Sequence, residues 1–73
     1  MKLYEIHFIS SDYSLEALEK EMTGLKIQYV RNKIGKQNNV VNVEYNIVVS
    51  PKQKREKMDN FLINNSHIKG FEV

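Results

Sequence analysis

Val40–Val49, VVNVEYNIVV, is the stretch whose reading decides the fold. A run dominated by Val, Ile and Tyr reads as a β-strand, because branched and aromatic side chains suit a pleated, half-buried surface. Val41, Val43, Tyr45, Ile47 and Val49 point one way, and Asn42, Glu44 and Asn46 point the other. That alternation describes a strand with one face in a core and one polar face. The rest of the chain must cover the apolar row. The polar row is left for use.

Upstream, Lys2–Ser10, KLYEIHFIS, alternates in the same way. Tyr4, Ile6 and Phe8 form its core row, since they carry the aromatics and no charge; Leu3, Glu5, His7 and Ile9 lie opposite. Ser14 reads as the N-cap of a helix in which Leu15, Leu18 and Met22 recur at helical spacing. Gly24 is placed to take the left-handed conformation that ends it. Leu25–Lys33, LKIQYVRNK, is the expected second strand, with Lys26, Gln28 and Val30 facing away from the core. Ile34–Asn39 is expected to form a loop or hairpin tip, with Gly35, Asn38 and Asn39 tolerating positive φ.

Beyond the central strand, Ser50 as N-cap, Pro51 at the first helical position and Gln53 in a capping box predict a second helix. It should run to Asn64 and bury Met58, Phe61 and Leu62. Asn64-Asn65-Ser66 stops it, His67 is a turn residue, and Ile68–Val73 closes the chain as a short strand with Gly70 at a bulge. The order is βαββαβ. It predicts an α+β, ferredoxin-like sandwich: a four-stranded antiparallel sheet, two helices on one face, and the first and third strands at the centre.

The 73 residues make a single domain, 1–73, near the lower limit for folding without staples. The absence of cysteine removes disulfides and thiolate metal sites and fits a reducing compartment. A net charge of +2 is too small to argue for nucleic acid. No apolar run approaches the roughly 18–20 residues of a membrane span, so this segment is not expected to be membrane-inserted. Met1-Lys2-Leu3 leads into a strand rather than a signal peptide.

With both helices on one face, the other is bare, and Glu5, His7, Asn42, Glu44 and Asn46 lie at its centre. These five are the candidate ligand or interaction face. A sheet that reads RNA stacks bases on rings at the centre of strands one and three. Glu5 and Glu44 stand where those rings are needed, and carboxylates repel phosphates, so no nucleic-acid partner is expected. Glu5, His7 and Glu44 are residue types that hold divalent ions, but their spacing matches no diagnostic pattern, so no metal or cofactor is assigned. No nucleophile–base constellation can be assembled, and the domain is read as non-enzymatic. Lys52, Lys54, Arg55 and Lys57 crowd the start of the second helix. This basic patch would suit an anion, an acidic partner or a membrane surface, although a solvated helix face with Glu56 and Asp59 is the plainer reading.

Taken together, YEIHFIS, SLEALEKEMTGL, VVNVEYNIVVSP and the closing IKGFEV resemble an ACT-like domain. More narrowly, they resemble the soluble C-terminal domain of the magnesium-transporter-C (MgtC/SapB) family of bacterial membrane proteins. The resemblance covers nearly the whole chain. It implies a cytoplasmic regulatory or assembly domain, a segment of a larger magnesium-transport-like protein tethered to the inner membrane. Its partners would be a second copy of itself, as a homodimer, or the parent membrane protein. ACT domains proper bind amino acids or other small effectors, commonly with a glycine between the first strand and first helix. Ser10–Ser14 contains none, which speaks against amino-acid binding. The alternative function is a small-ligand or divalent-metal sensor acting near Glu5, His7 and Glu44.

Overall fold

A computed structural model describes residues 1–73. The elements are β1 (Lys2–Ile9), α1 (Leu15–Gly24), β2 (Tyr29–Gln37), β3 (Val40–Ile47), α2 (Arg55–Ile63) and β4 (Ile68–Glu72). The strands form one antiparallel sheet in the order β2-β3-β1-β4, the ferredoxin-like arrangement. The two alternating strands are indeed central.

Tyr4, Ile6 and Phe8 of β1 and Val41, Val43, Tyr45 and Ile47 of β3 are buried. Leu18 and Met22 of α1 and Met58 and Leu62 of α2 close over them, while Phe61 is only half-buried. Burial of each large apolar side chain contributes roughly 1.5–3 kcal/mol, which makes this layer the main source of stability. Val49 does not join the row. β3 ends at Ile47, Val48 N–H donates to Gln28 O at 3.0 Å, and the chain then turns outward with Val49 exposed.

Two tyrosines fasten the helices to the sheet. Tyr4 and Tyr45 are cross-strand partners, yet their hydroxyls serve different helices. Tyr4 O–H donates to Asp59 on α2, and Tyr45 O–H donates to Glu19 on α1 at 2.8 Å. Each carboxylate also meets an arginine at 3.4 Å: Asp59 pairs with Arg55 and Glu19 with Arg31. Burial, then the bonded carboxylate, pushes the Tyr4 phenol up to about 12. Tyr45 is raised for the same reasons.

α1 begins as its sequence suggests, with Ala17 N–H donating to Ser14 Oγ at 3.0 Å. Its end differs. Gly24 is the last helical residue, and the left-handed position falls on Lys26, φ 61°. Lys26 N–H donates to Thr23 O and Ile27 N–H to Met22 O, both at 2.9 Å, which is the Schellman pattern. Ile27 must be buried against Met22, so the residue immediately before it takes the turn whatever its type. A side chain in this conformation costs roughly 1–2 kcal/mol. Lys26→Gly is therefore expected to stabilise the fold by about 0.5–1 kcal/mol, after discounting glycine's greater unfolded-state freedom. A urea midpoint that stays put or falls would contradict it.

The same cap moves β2. Residues 25–28 return the chain from helix to sheet, so the strand starts at Tyr29 rather than Leu25. It then runs through most of the segment expected as a loop. Only Asn38 and Asn39, at φ 50° and 71°, form the turn, the primed geometry that suits strand twist. Gly35 lies inside the strand without a positive φ. Asn32 is an extra residue in the ladder, because Arg31 opposes Tyr45 and Lys33 opposes Glu44.

α2 also starts late. Ser50 Oγ accepts from Lys52 N–H at 3.2 Å and Gln53 N–H at 3.0 Å, but this caps a turn, and the helix begins at Arg55. Gln53 does not reach back to Ser50 to complete a capping box. Its amide accepts from Gln28 N–H at 2.9 Å and donates to Val48 O at 2.6 Å and Gln28 O at 3.3 Å. It is the one buried polar side chain, held where β2 begins and β3 ends. In β4 the irregular residue is Lys69, beside the expected Gly70: His7 opposes Gly70 and Phe8 opposes Ile68. His67 fills its turn role, stacking on Tyr13 with ring centroids 4.6 Å apart.

Candidate functional site

The open face is built from rows that cross the strands. One row is Val30, Asn46 and Leu3; the next is Lys33, Glu44, Glu5 and Glu72; the third is Gly35, Asn42, His7 and Gly70. Val40 and Ile9 form the far margin. Alternation along β1 and β3 places these side chains away from the helices, since their neighbours fill the core. All five residues expected at the centre, Glu5, His7, Asn42, Glu44 and Asn46, lie on this surface. Lys26 and Gln28 do not, because both precede β2; Lys33 and Gly35 occupy the strand's open face beside Val30.

Two members of the charged row escaped the sequence reading. Lys33 reaches it through the extra residue at Asn32, and Glu72 through the irregularity at Lys69. The glycine two positions before Glu72 marked a break in β4. It did not give the register.

Glu5 stands opposite Glu44 on one side and Glu72 on the other. Like charges directly across strands are unfavourable. Lys33 Nζ lies 3.4 Å from Glu44 Oε2, whereas Glu5 and Glu72 take part in no ion pair. Asn46 Nδ2 donates to Asn32 Oδ1 at 3.2 Å, so the bulge residue also belongs to this face. In the third row the His7 ring lies directly over Gly70, where a Cβ would stand 2.4 Å from Nε2. Only glycine leaves that space. Beside Gly35 is a shallow hollow of about 220 Å³, bordered by Glu5, Lys33, Asn42 and Glu44.

Chemically this is an acidic, hydrogen-bonding surface. No three histidine, aspartate and glutamate side chains gather closely enough to hold a metal ion, so Glu5, His7 and Glu44 share a face without forming a ligand set. Tyr4, Phe8 and Tyr45 are in the core, and His7 is the one ring among the strand residues on the open face.

The basic patch is a separate surface. Lys52, Lys54, Arg55 and Lys57 are all exposed, but Lys52 and Lys54 precede the helix instead of crowding its first turn. Arg55 is engaged by Asp59. A wide groove of about 780 Å³ runs between the helices, with Leu25 and Phe61 as its apolar walls and Glu21, Lys57 and Asn60 along its edges. No helix is long and apolar enough to cross a membrane.

Comparison with protein-family models, curated proteins and solved structures finds no match to this chain.

Proposed function

We propose that this domain is a non-enzymatic regulatory or assembly module whose working surface is the open face of its sheet. One observation carries the reading: the helices cover one side only, and the two central strands present Glu5, His7, Asn42, Glu44 and Asn46 on the uncovered side. Layered domains bury sheet faces against another element, and a bare central face is the natural place for one supplied by association. The MgtC/SapB-like pattern of the sequence suggests a setting, the cytoplasmic tail of a magnesium-transport-like membrane protein. There the second layer would come from another copy or from the parent protein. A metal-sensing role is less well supported, since Glu5, His7 and Glu44 form no ion-holding group.

Sedimentation of the wild type with Asn42→Arg and Glu44→Arg tests the self-association form of this reading. If the face pairs copies, mass rises with concentration and both substitutions reduce that rise. A concentration-dependent mass indifferent to both would place the interface elsewhere.

A further inference from the structure

We infer that the open sheet face receives a lysine- or arginine-bearing amphipathic helix from another protein, not a second copy of this chain. The inference rests on the reading of that face as an interface and supplies the partner's chemistry.

The chain as a whole is positive, at +2, yet the row across its sheet sets three carboxylates against the single ammonium of Lys33. Glu5, in the middle, has a like charge on each side and no cation of its own. A cation brought from outside relieves both repulsions at once. The face also offers apolar surface one row away, where Leu3 and Val30 are 49% and 50% exposed. Leu3 and Glu5 are two strand residues apart, roughly 6.6 Å at the usual rise. Positions i and i+4 on a helix are separated by about 6 Å along its axis. A helix lying along β1 can therefore set an apolar side chain on Leu3 and a basic one on Glu5. In the neighbouring row Gly35 has open space above it, which leaves the β2 side of the face low, while the His7 ring fills the space over Gly70.

A second copy fits poorly. A two-fold axis running through the charged row would lay one glutamate row against another, and juxtaposed like charges disfavour such a partner. The outer edge of β2 is no better a seam between copies. It carries Arg31, Lys33 and Lys36 and the extra residue at Asn32, features that blunt an edge strand.

The test is an amide NMR titration of the full chain with a helical peptide of roughly 18 Leu, Ala and Lys residues, about 27 Å long, and with its Glu-for-Lys counterpart. The Lys peptide should shift the amides of Leu3, Glu5, Glu44 and Glu72. Its affinity should fall about tenfold between roughly 0.02 and 0.3 M salt, as screening of exposed charges requires. Glu5→Lys, on an exposed position, should keep the spectrum of a folded domain and lose the Lys peptide. Binding that ignores Glu5→Lys, or shifts confined to other elements, overturns the inference. If the sheet-face amides instead shift with the chain's own concentration, the face is an interface between copies; the inference then fails while the assembly reading stands. If neither peptide nor concentration moves them, both fail.

Discussion

Gln53→Ala is expected to destabilise the domain by about 2–4 kcal/mol, the lower part of the range for two backbone groups left without partners, because both are only partly buried. The groups are Gln28 N–H and Val48 O, both held by the Gln53 amide; Gln28 O still accepts from Val48 N–H. A chain of 73 residues has a total stability in the range of about 4–11 kcal/mol, so a loss of this size is a substantial part of it. Gln53→Leu should fare little better, because volume is restored but neither hydrogen bond is. Urea unfolding followed by far-ultraviolet dichroism measures the change, and amide exchange at Gln28 localises it. A loss below about 1 kcal/mol would mean that water replaces the amide.

The paired substitution Tyr4→Phe with Tyr45→Phe is the second large effect. Hydrogen bonds to charged groups contribute about 1.5–3 kcal/mol each, and these two phenols serve different carboxylates on different helices. Each single change should cost about that amount, and the pair about 3–6 kcal/mol. A loss confined to one of the two would show that only one helix depends on its tyrosine. Burial of the tyrosine hydroxyls also sets a pH dependence. Folding raises the Tyr4 and Tyr13 phenols to about 12 and moves Tyr45 upward as well, in each case mainly through burial. The unfolded chain gives up these protons first, near the ordinary value of about 10. The stabilisation is therefore complete below about pH 10 and is lost as pH rises toward 12. Unfolding midpoints measured across this window should fall steeply for the wild type. They should fall less for the double variant, in which Tyr13 retains its share.

The candidate face shows how far such patterns reach. Asn42, Glu44 and Asn46 could be placed on it because seven of the eight positions of β3 alternate in strict order, and Glu5 and His7 because Tyr4, Ile6 and Phe8 mark the core row of β1 on either side of them. Lys33 and Glu72 could not, because each sits beyond an irregularity that reverses the alternation. A one-residue slip moves every later side chain to the other face. Neither Asn32 nor Lys69 is a residue type that announces such a slip. Gly70 does mark its neighbourhood, but the requirement for glycine there comes from the His7 ring of another strand.

The sequence by itself determined the element order, the two central strands, the first helix cap and the row of aromatic and aliphatic side chains that became the core. These are local matters: period, capping chemistry and the preference of bulky residues for burial all act within a few positions. Only the tertiary structure decided where β2 and α2 begin and which charges share the open face. Ile27 had to reach the core, which put Lys26 in a left-handed turn and delayed β2. Gln53 was needed by Gln28 and Val48, so its side chain left the capping box that the sequence spelled out. In both places packing or hydrogen bonding in the folded state outweighed the local signal, because an unmet hydrogen bond or an unburied apolar side chain costs more than a cap contributes.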